Sequence, residues 1–336
     1  MFDTQEIKQA IVGWLNNNPT AFQAALLSDK IFISKYAQRI SKVNGAYGNV
    51  ISLMGHVVQA YYSKTFTPFT DVRFKAKKMD TFRQKVDFQI DPADILGTIY
   101  ADKFDEGKNP KDKAITKEMV QMVLAKIIDD CDWLSVNGVY DANKVGITPP
   151  EFGFSMDGLN EVLANIVAAS QPYFIPGSAV TANNILTEMT AFEKNLPSMA
   201  KPKVKYIFTS QEDVEEYQEA YDDAYGLRPS FDQNGATKTR FGKREIVGIP
   251  GLTKGTIFAT IDKNFLELVD VVENPAKITD IQVENRIVKL LGEFSLAYDF
   301  AIDQYLYVHT ADGGKNLGLN DSTMNKLFYP NESKIS

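Results

Sequence analysis

Cysteine and histidine are almost missing from this chain. Cys131 is the single cysteine, and His56 and His309 are the only histidines in 336 residues. One thiol cannot close an intramolecular disulfide, and one cysteine with two distant histidines cannot build a usual zinc site. His56 lies in LMGHVV and His309 in YLYVHT, apolar or aromatic settings that suit hydrogen-bonded structural histidines better than ligands or bases. There is no GxxxxGK(S/T) phosphate loop and no GxGxxG fingerprint. The stretch GFSMDG at 153–158 has the wrong spacing for a nucleophile elbow, and the start of a calcium loop at Asp141 and Asn143 is not continued. The expectation is therefore no catalytic residue, no metal ligand and no cofactor.

Positive charge is in deficit as well. Lysine and arginine number 36 against 43 acids, a formal net charge of -7. That balance argues against a sequence-independent grip on nucleic acid, which depends on clustered cations displacing counterions. No run of 18 apolar residues occurs, so no membrane span is expected. The opening MFDTQEIKQAIVGWLNNNP has early acids and no apolar core of signal type, so no export signal is read there. What is present is ordinary for a globular core: 44% hydrophobic and 24% charged residues, in a length suited to one large or two modest domains.

The strongest local signal is Thr116–Gly138. Met119, Val123, Ile127, Cys131 and Leu134 recur every three or four residues, and Val120, Leu124 and Ile128 widen the stripe. Thr116 is placed as the N-cap, with Glu118 in the first turn, and Asn137-Gly138 as a left-handed stop. The result is a long core rod, with Cys131 as a packing residue.

Before it, residues 4–16 show a short amphipathic pattern with Ile7, Ile11, Trp14 and Leu15 on one face. Trp14 needs a surface that so small a helix cannot supply. Residues 31–64 are apolar, interrupted by Gly45, Gly48 and Gly55, and resist assignment. Residues 65–91 alternate with period two, and Lys77-Lys78-Met79-Asp80 is placed as the reversal of a two-stranded hairpin. That hairpin carries Arg73, Lys75, Lys77, Lys78, Arg83 and Lys85 but little apolar surface. An isolated ribbon of this kind is marginal in water, so it belongs either to a larger sheet or across another molecule. Asp91-Pro92 is read as starting a short helix, and 105–113 as a polar surface connection.

After Gly138 comes a loop with Pro149-Pro150, then helices starting at Asp157 and Thr181, the strand KVKYIFTS, and a helix QEDVEEYQEAYDDAYG. Ser210 and Asp213 have capping-box spacing, and Val214, Tyr217, Tyr221 and Ala224 form the buried face of that helix. Its acids, Glu212, Glu215, Glu216, Glu219, Asp222 and Asp223, read as a solvated face. From Phe241 the chain is mostly strands, with turns at Pro250-Gly251 and Lys263-Asn264 and a break at Gly292. The residues from 312 are Gly- and Asn-rich and are placed as a peripheral tail. The class is α+β rather than a βαβ repeat.

This order of parts resembles the major capsid proteins of tailed double-stranded DNA bacteriophages, of the Hong Kong 97 type. The most specific stretch is REIVGIPGLTKGTIFATIDKNFLELVDVV: a Gly-Ile-Pro turn, an apolar strand, a turn with Asn and another strand. The resemblance covers most of the chain. It implies an N-terminal arm at 1–64, an extended β-hairpin loop at 65–91, and a first peripheral part at 92–144 with its spine helix at 116–137. An axial domain at 145–271, peripheral return strands at 272–311 and a C-terminal tail at 312–336 complete the plan. The function it implies is self-assembly through pentamers and hexamers into an icosahedral virion shell that encloses double-stranded DNA without sequence-specific binding. Assembly would take place in the host bacterial cytoplasm, with portal and scaffolding or decoration proteins as partners and no membrane. Trp14, Arg73, Lys75, Lys77, Lys78, Arg83 and Lys85 would then make inter-subunit contacts. A cellular nanocompartment shell of the same fold, and a soluble α+β enzyme with an unrecognised site, remain the alternatives.

Overall fold

The computed structural model describes residues 9, 12, 13, 18, 20–28, 30–53, 56–62, 65, 66, 73–90, 114–226, 238–241, 243–273, 275–284 and 287–335. Trp14, the helix expected from Asp91, the connection at 105–113 and the side chains of Thr116, Glu118, Met119 and Val120 lie outside this set.

The helical period of the central stretch becomes a helix, here α2, over Ala114–Asn137; a shorter helix, α1, covers Ala21–Leu27. Ile128, Cys131 and Leu134 are buried in the main core, as their spacing requires. The helix begins two residues before Thr116, so Thr116 is not its cap. Nor does Gly138 adopt a left-handed stop, since its φ is not positive. It is glycine for closeness: a Cβ there would sit 2.5 Å from the Met156 carbonyl oxygen and 2.7 Å from that of Leu134.

Two five-stranded sheets share the body. The first contains β1 (Gln38–Ile40), β4 (Phe82–Ile90), β9 (Phe265–Val269), β10 (Lys277–Glu284) and β11 (Ile287–Phe300). The long strand β11 organises it. Leu296 is registered with Phe82 of β4 on one edge and Val269 of β9 on the other, so β9 continues the edge along which β10 runs. Gly292 does not break β11: it pairs with Val86 within the β4 ladder and with Ile278 on β10, where the register of β10 shifts between Ile278 and Asp280.

The second sheet runs β5 (Tyr173–Pro176), β12 (Leu306–Thr310), β8 (Phe258–Thr260), β6 (Tyr206–Ser210), β7 (Glu245–Ile249). Its strands lack polar alternation because both faces are covered. Phe208, Val247, Phe258 and Val308 join the core shared with α2 and with α3 (Leu159–Ala168). Ile207, Ile246, Ala259 and Tyr307 face a second core with α4 (Ile185–Asn195) and α5 (Gln211–Tyr225).

Several local expectations shift by a residue or change hands. The cap of α3 is Gly158, while Asp157 accepts a hydrogen bond from the Tyr140 amide instead. Helix α4 starts at Ile185, after an Asn184 turn that holds the Thr181 amide. Ser210 does cap α5 through the Asp213 amide, at 3.0 Å, but Ala224 is exposed.

Sheet membership crosses the expected bounds: β9 lies in the first sheet and β12 in the second. The region read as an arm is partly core: Phe22, Ile31, Ile33 and Val43 are buried and β1 pairs with β9. The region read as a peripheral tail forms α6 (Ser322–Phe328) and buries Leu319, Phe328 and Tyr329 in the second core.

A ribbon that leaves the body: the candidate assembly surface

The extended loop exists, but it is not the expected hairpin. β3 (Arg73–Asp80) pairs antiparallel with β2 (Ala46–Leu53), and β4 pairs with β11. Residues 77–80 are therefore strand, not a reversal. The local reason is that Lys-Lys-Met-Asp holds no Gly, Asn or Pro, with Asp80 its one turn-favouring residue, so nothing there supplies the left-handed backbone of a tight hairpin. The two-stranded ribbon leaves the body at a narrow root. Gly45 has φ +74°, and the Thr81 amide donates to the Gly45 carbonyl at 2.9 Å.

One face of the ribbon lies on its own subunit. Met79 is buried with Val43 and Leu266 near the root, and Leu53 reaches the second core. Between them the contacts are polar. The Lys77 ammonium reaches Asp299 at 2.7 Å, Asp303 at 2.6 Å and the Phe300 carbonyl at 2.8 Å. Lys75 donates to Gln171 at 2.6 Å, and the Asn49 amide to the Ala301 carbonyl at 2.9 Å. Burial holds the Asp299 carboxyl above the usual carboxylate range, against the pull of Lys77. Burial also draws the Lys75 ammonium down, with Asp303 opposing.

The other face and the described part of the connection expose apolar side chains. Phe74 is 73% exposed and Tyr61 93%, and Val50, Val57, Val58, Tyr62 and Phe66 are exposed with them. A second bare apolar area lies at the C-terminal end of α2, where Trp133 and Phe152 pair at 5.1 Å beside Val139, Tyr140 and Val145.

The residues expected to make inter-subunit contacts therefore separate. Lys75 and Lys77 are turned onto their own subunit. Arg73, Lys78, Arg83 and Lys85 are exposed; Lys78 pairs with Asp80 at 2.8 Å, Lys85 with Asp87 at 2.5 Å, and Arg83 with Glu293. The exposed apolar set lies outside that selection. The available signal was Val57-Val58 and Tyr61-Tyr62, apolar residues in a stretch with no period that would bury them.

His309, Arg244 and Cys131 are enclosed. His309 Nε2 lies 3.2 Å from Glu188 Oε2 in a buried pair, and Arg244 is buried against Glu193. His56, also expected to be structural, is exposed in the ribbon connection. Cys131 is buried, and its thiol is pushed up to about 12 by that burial, as a packing residue should be. Among the described residues no group of three His, Cys, Asp or Glu could hold a metal ion. A narrow hollow beneath α2 is lined by apolar side chains and Gly292, with no polar side chain to orient a ligand. No helix among the described residues is long and apolar enough to cross a membrane.

No protein-family model matches the sequence, and no curated protein matches it. Solved structures do share the fold. A chain of the satellite phage P4 procapsid superposes with a TM-score of 0.54 at 11% identity, over 88% of this chain and 98% of that one. A cyanophage A-1(L) capsid chain gives 0.51 at 10% identity, over 85% and 92%. A capsid chain of Myoviridae phage XM1 gives 0.50 at 10% identity, over 87% and 91%. The chain thus has the α+β fold of phage capsid subunits, and the Hong Kong 97-type expectation holds at the level of fold.

Proposed function

We propose that this chain is a structural subunit that associates with copies of itself, through pentamers and hexamers, into an icosahedral phage head around double-stranded DNA. The observation that carries this reading is the ribbon, whose outward face and connection expose Val50, Val58, Tyr61, Phe66 and Phe74 on a body of capsid fold. Large bare apolar areas mark surfaces that another molecule covers. An acidic chain suits a container that does not adhere to the polyanion inside it.

The shell is a sum of modest contacts. A change of about 1.4 kcal/mol at one interface shifts each association constant tenfold, and a closed particle multiplies that factor. In this reading the chain performs no catalysis and needs no cofactor. Arg73, Lys78, Arg83 and Lys85 lie at the polar rim of the contacts, while Lys75 and Lys77 hold the ribbon in position. A portal protein, and scaffolding or decoration proteins, complete the particle, which assembles in the host bacterial cytoplasm. The satellite P4 procapsid includes a size determination protein, a precedent for such a partner.

Light scattering and electron microscopy of the purified chain test this directly. Closed particles, or rings of five and six that close when the salt or scaffold is changed, are expected. A monomer or dimer under every condition would remove the shell reading. DNA in particles recovered from producing cells separates a virus head from a protein-filled compartment.

A further inference from the structure

We infer that the basic edge of the second sheet, where β6 and β7 begin, faces the interior of the particle and holds phosphates of the enclosed double-stranded DNA through non-specific, salt-labile contacts. The inference rests on the shell reading and specifies which part of the chain meets the nucleic acid.

The edge stands out on an acidic chain. Residues 194–205 and 238–244 carry eight of the 36 Lys and Arg and none of the 43 Asp and Glu. The fold brings both segments to one place. β6 and β7 are parallel neighbours, so the segments leading into them enter side by side, and the Glu245 amide donates to the Lys205 carbonyl at 3.1 Å. Buried Arg244 ties them together: it donates to the Lys201 carbonyl at 2.5 Å while it pairs with Glu193. The C-terminal segment adds a further cation. Lys334 and Lys201 both donate to the Lys194 carbonyl, at 3.3 and 2.9 Å, in the last turn of α4 where free carbonyls attract positive charge.

Few acids answer this charge. Glu193 is taken by Arg244, Asp262 by Lys205 at 3.0 Å, and Glu332 accepts from the Ser198 amide at 2.6 Å. Glu245 is exposed at the start of β7. Among the described residues Lys203, Lys238, Arg240 and Lys243 are exposed with no carboxylate at ion-pair distance. Burial, and crowding by Lys334 and Arg244, draw the Lys201 ammonium down, with Glu332 and Glu193 opposing. Crowded cations repel one another until an anion lies between them. Lysine meets phosphate as a point charge, whereas it is depleted from contacts between proteins. The composition of this edge therefore favours a nucleic acid over an acidic protein surface. The acidic remainder of the chain repels the duplex, so the contact is confined to this edge and stays weak enough for DNA to move.

Fluorescence anisotropy of a short duplex of random sequence, titrated with the purified chain at several salt concentrations, tests this. The affinity of the unaltered chain is expected to fall steeply with salt. A variant carrying Lys203→Ala, Lys238→Ala and Lys243→Ala is expected to lose at least about tenfold in affinity at low salt, and its log–log salt slope should shrink by about three. Lys126→Ala, an exposed lysine on α2, should change neither. Thermal melts establish that the variants fold; if the triple variant does not, Lys243→Ala alone should reduce the slope by about one. No binding of the duplex by the unaltered chain, or equal binding by the folded triple variant, overturns the inference. Tighter binding of polyglutamate than of the duplex, lost in the same variant, assigns the edge to an acidic protein and also overturns it. Electron microscopy keeps the two readings apart. Particles formed by an unaltered chain that ignores the duplex leave the shell reading standing, whereas a chain that never assembles removes the shell and the interior assignment together.

Discussion

Two antiparallel pairings of nearly equal length carry this molecule, and they are stabilised in opposite ways. β4 on β11 lies within a five-stranded sheet whose long strand buries Leu290, Phe294, Leu296, Tyr298 and Phe300. β2 on β3 forms a sheet of two, in which only Leu53 and Met79 are buried. Hydrogen bonds across a ladder contribute modestly by themselves; packing on a sheet face supplies the rest. The body therefore holds its own strands, whereas the ribbon rests on a small apolar contact at its root and a polar latch beyond it, and leaves an apolar face exposed.

The largest effects come from cutting along this division. Removing residues 46–80 and bridging Gly45 to Thr81, already hydrogen-bonded at 2.9 Å, should leave a cooperatively folded monomer that forms no particles. Removing 72–88 should instead unfold the subunit, because it takes β4 off β11. Circular dichroism and electron microscopy of the two deletions read the contrast, and a folded 72–88 deletion would erase the distinction between the two pairings. Point changes follow. Phe300→Ala in the body should cost about 3–5 kcal/mol in denaturant unfolding. Phe74→Ala on the ribbon should stay within about 0.5 kcal/mol while weakening assembly.

The same division explains what the sequence revealed. The 3.6-residue period of α2 is a local signal with one interpretation, and Val123, Ile128, Cys131 and Leu134 are buried as it requires. The strands β3 and β4 were equally legible as extended chain. Their partners were not, because pairing is non-local: β3 selects β2, whose own pattern is blurred by Ala46 and Gly48, and β4 selects a strand two hundred residues away. The exchange of β9 and β12 between sheets has the same cause. The C-terminal residues misled in another way. Asn325 is a polar residue with a structural use, since its side chain accepts from the Leu319 amide at 2.7 Å and donates to the Leu319 carbonyl at 3.0 Å. The candidate contact residues on the ribbon and β4 are all charged, whereas the exposed apolar residues of the connection have no period that marks them in the sequence.

The latch offers a smaller and pH-dependent test. Lys77→Met leaves Asp299 and Asp303 facing each other beneath the ribbon without their cation. Loss of one partner of a buried charged group costs about 1–3 kcal/mol. Asp299 titrates above the usual carboxylate range, so between its ordinary and raised values the folded state holds more protons than the unfolded one. Its contribution to stability therefore falls as pH rises through the raised value. Lys77 opposes that loss, so the variant should be most impaired near neutrality and recover as the pH falls into the range where Asp299 protonates. The charged groups facing Asp299 are Lys77 and Asp303, with Lys75 beyond them. Melting curves of both chains across that range, with protease cleavage of the ribbon as a second readout, check the sign.

The smallest effect belongs to the surface cations. Among the described residues Lys85 pairs with Asp87, two residues along the same strand, and both side chains are exposed. Exposed pairs of this kind contribute little to folding, so Lys85→Ala should leave the unfolding midpoint within about 0.5 kcal/mol of the unaltered chain. If Lys85 lies at the rim of a subunit contact, the same change should lower the salt dependence of assembly, because rim charges act through association rate and screening rather than through burial. Scattering kinetics at two ionic strengths separate the cases. An unchanged salt dependence would place Lys85 on the solvated side of β4, and the ribbon alone would then carry the contact.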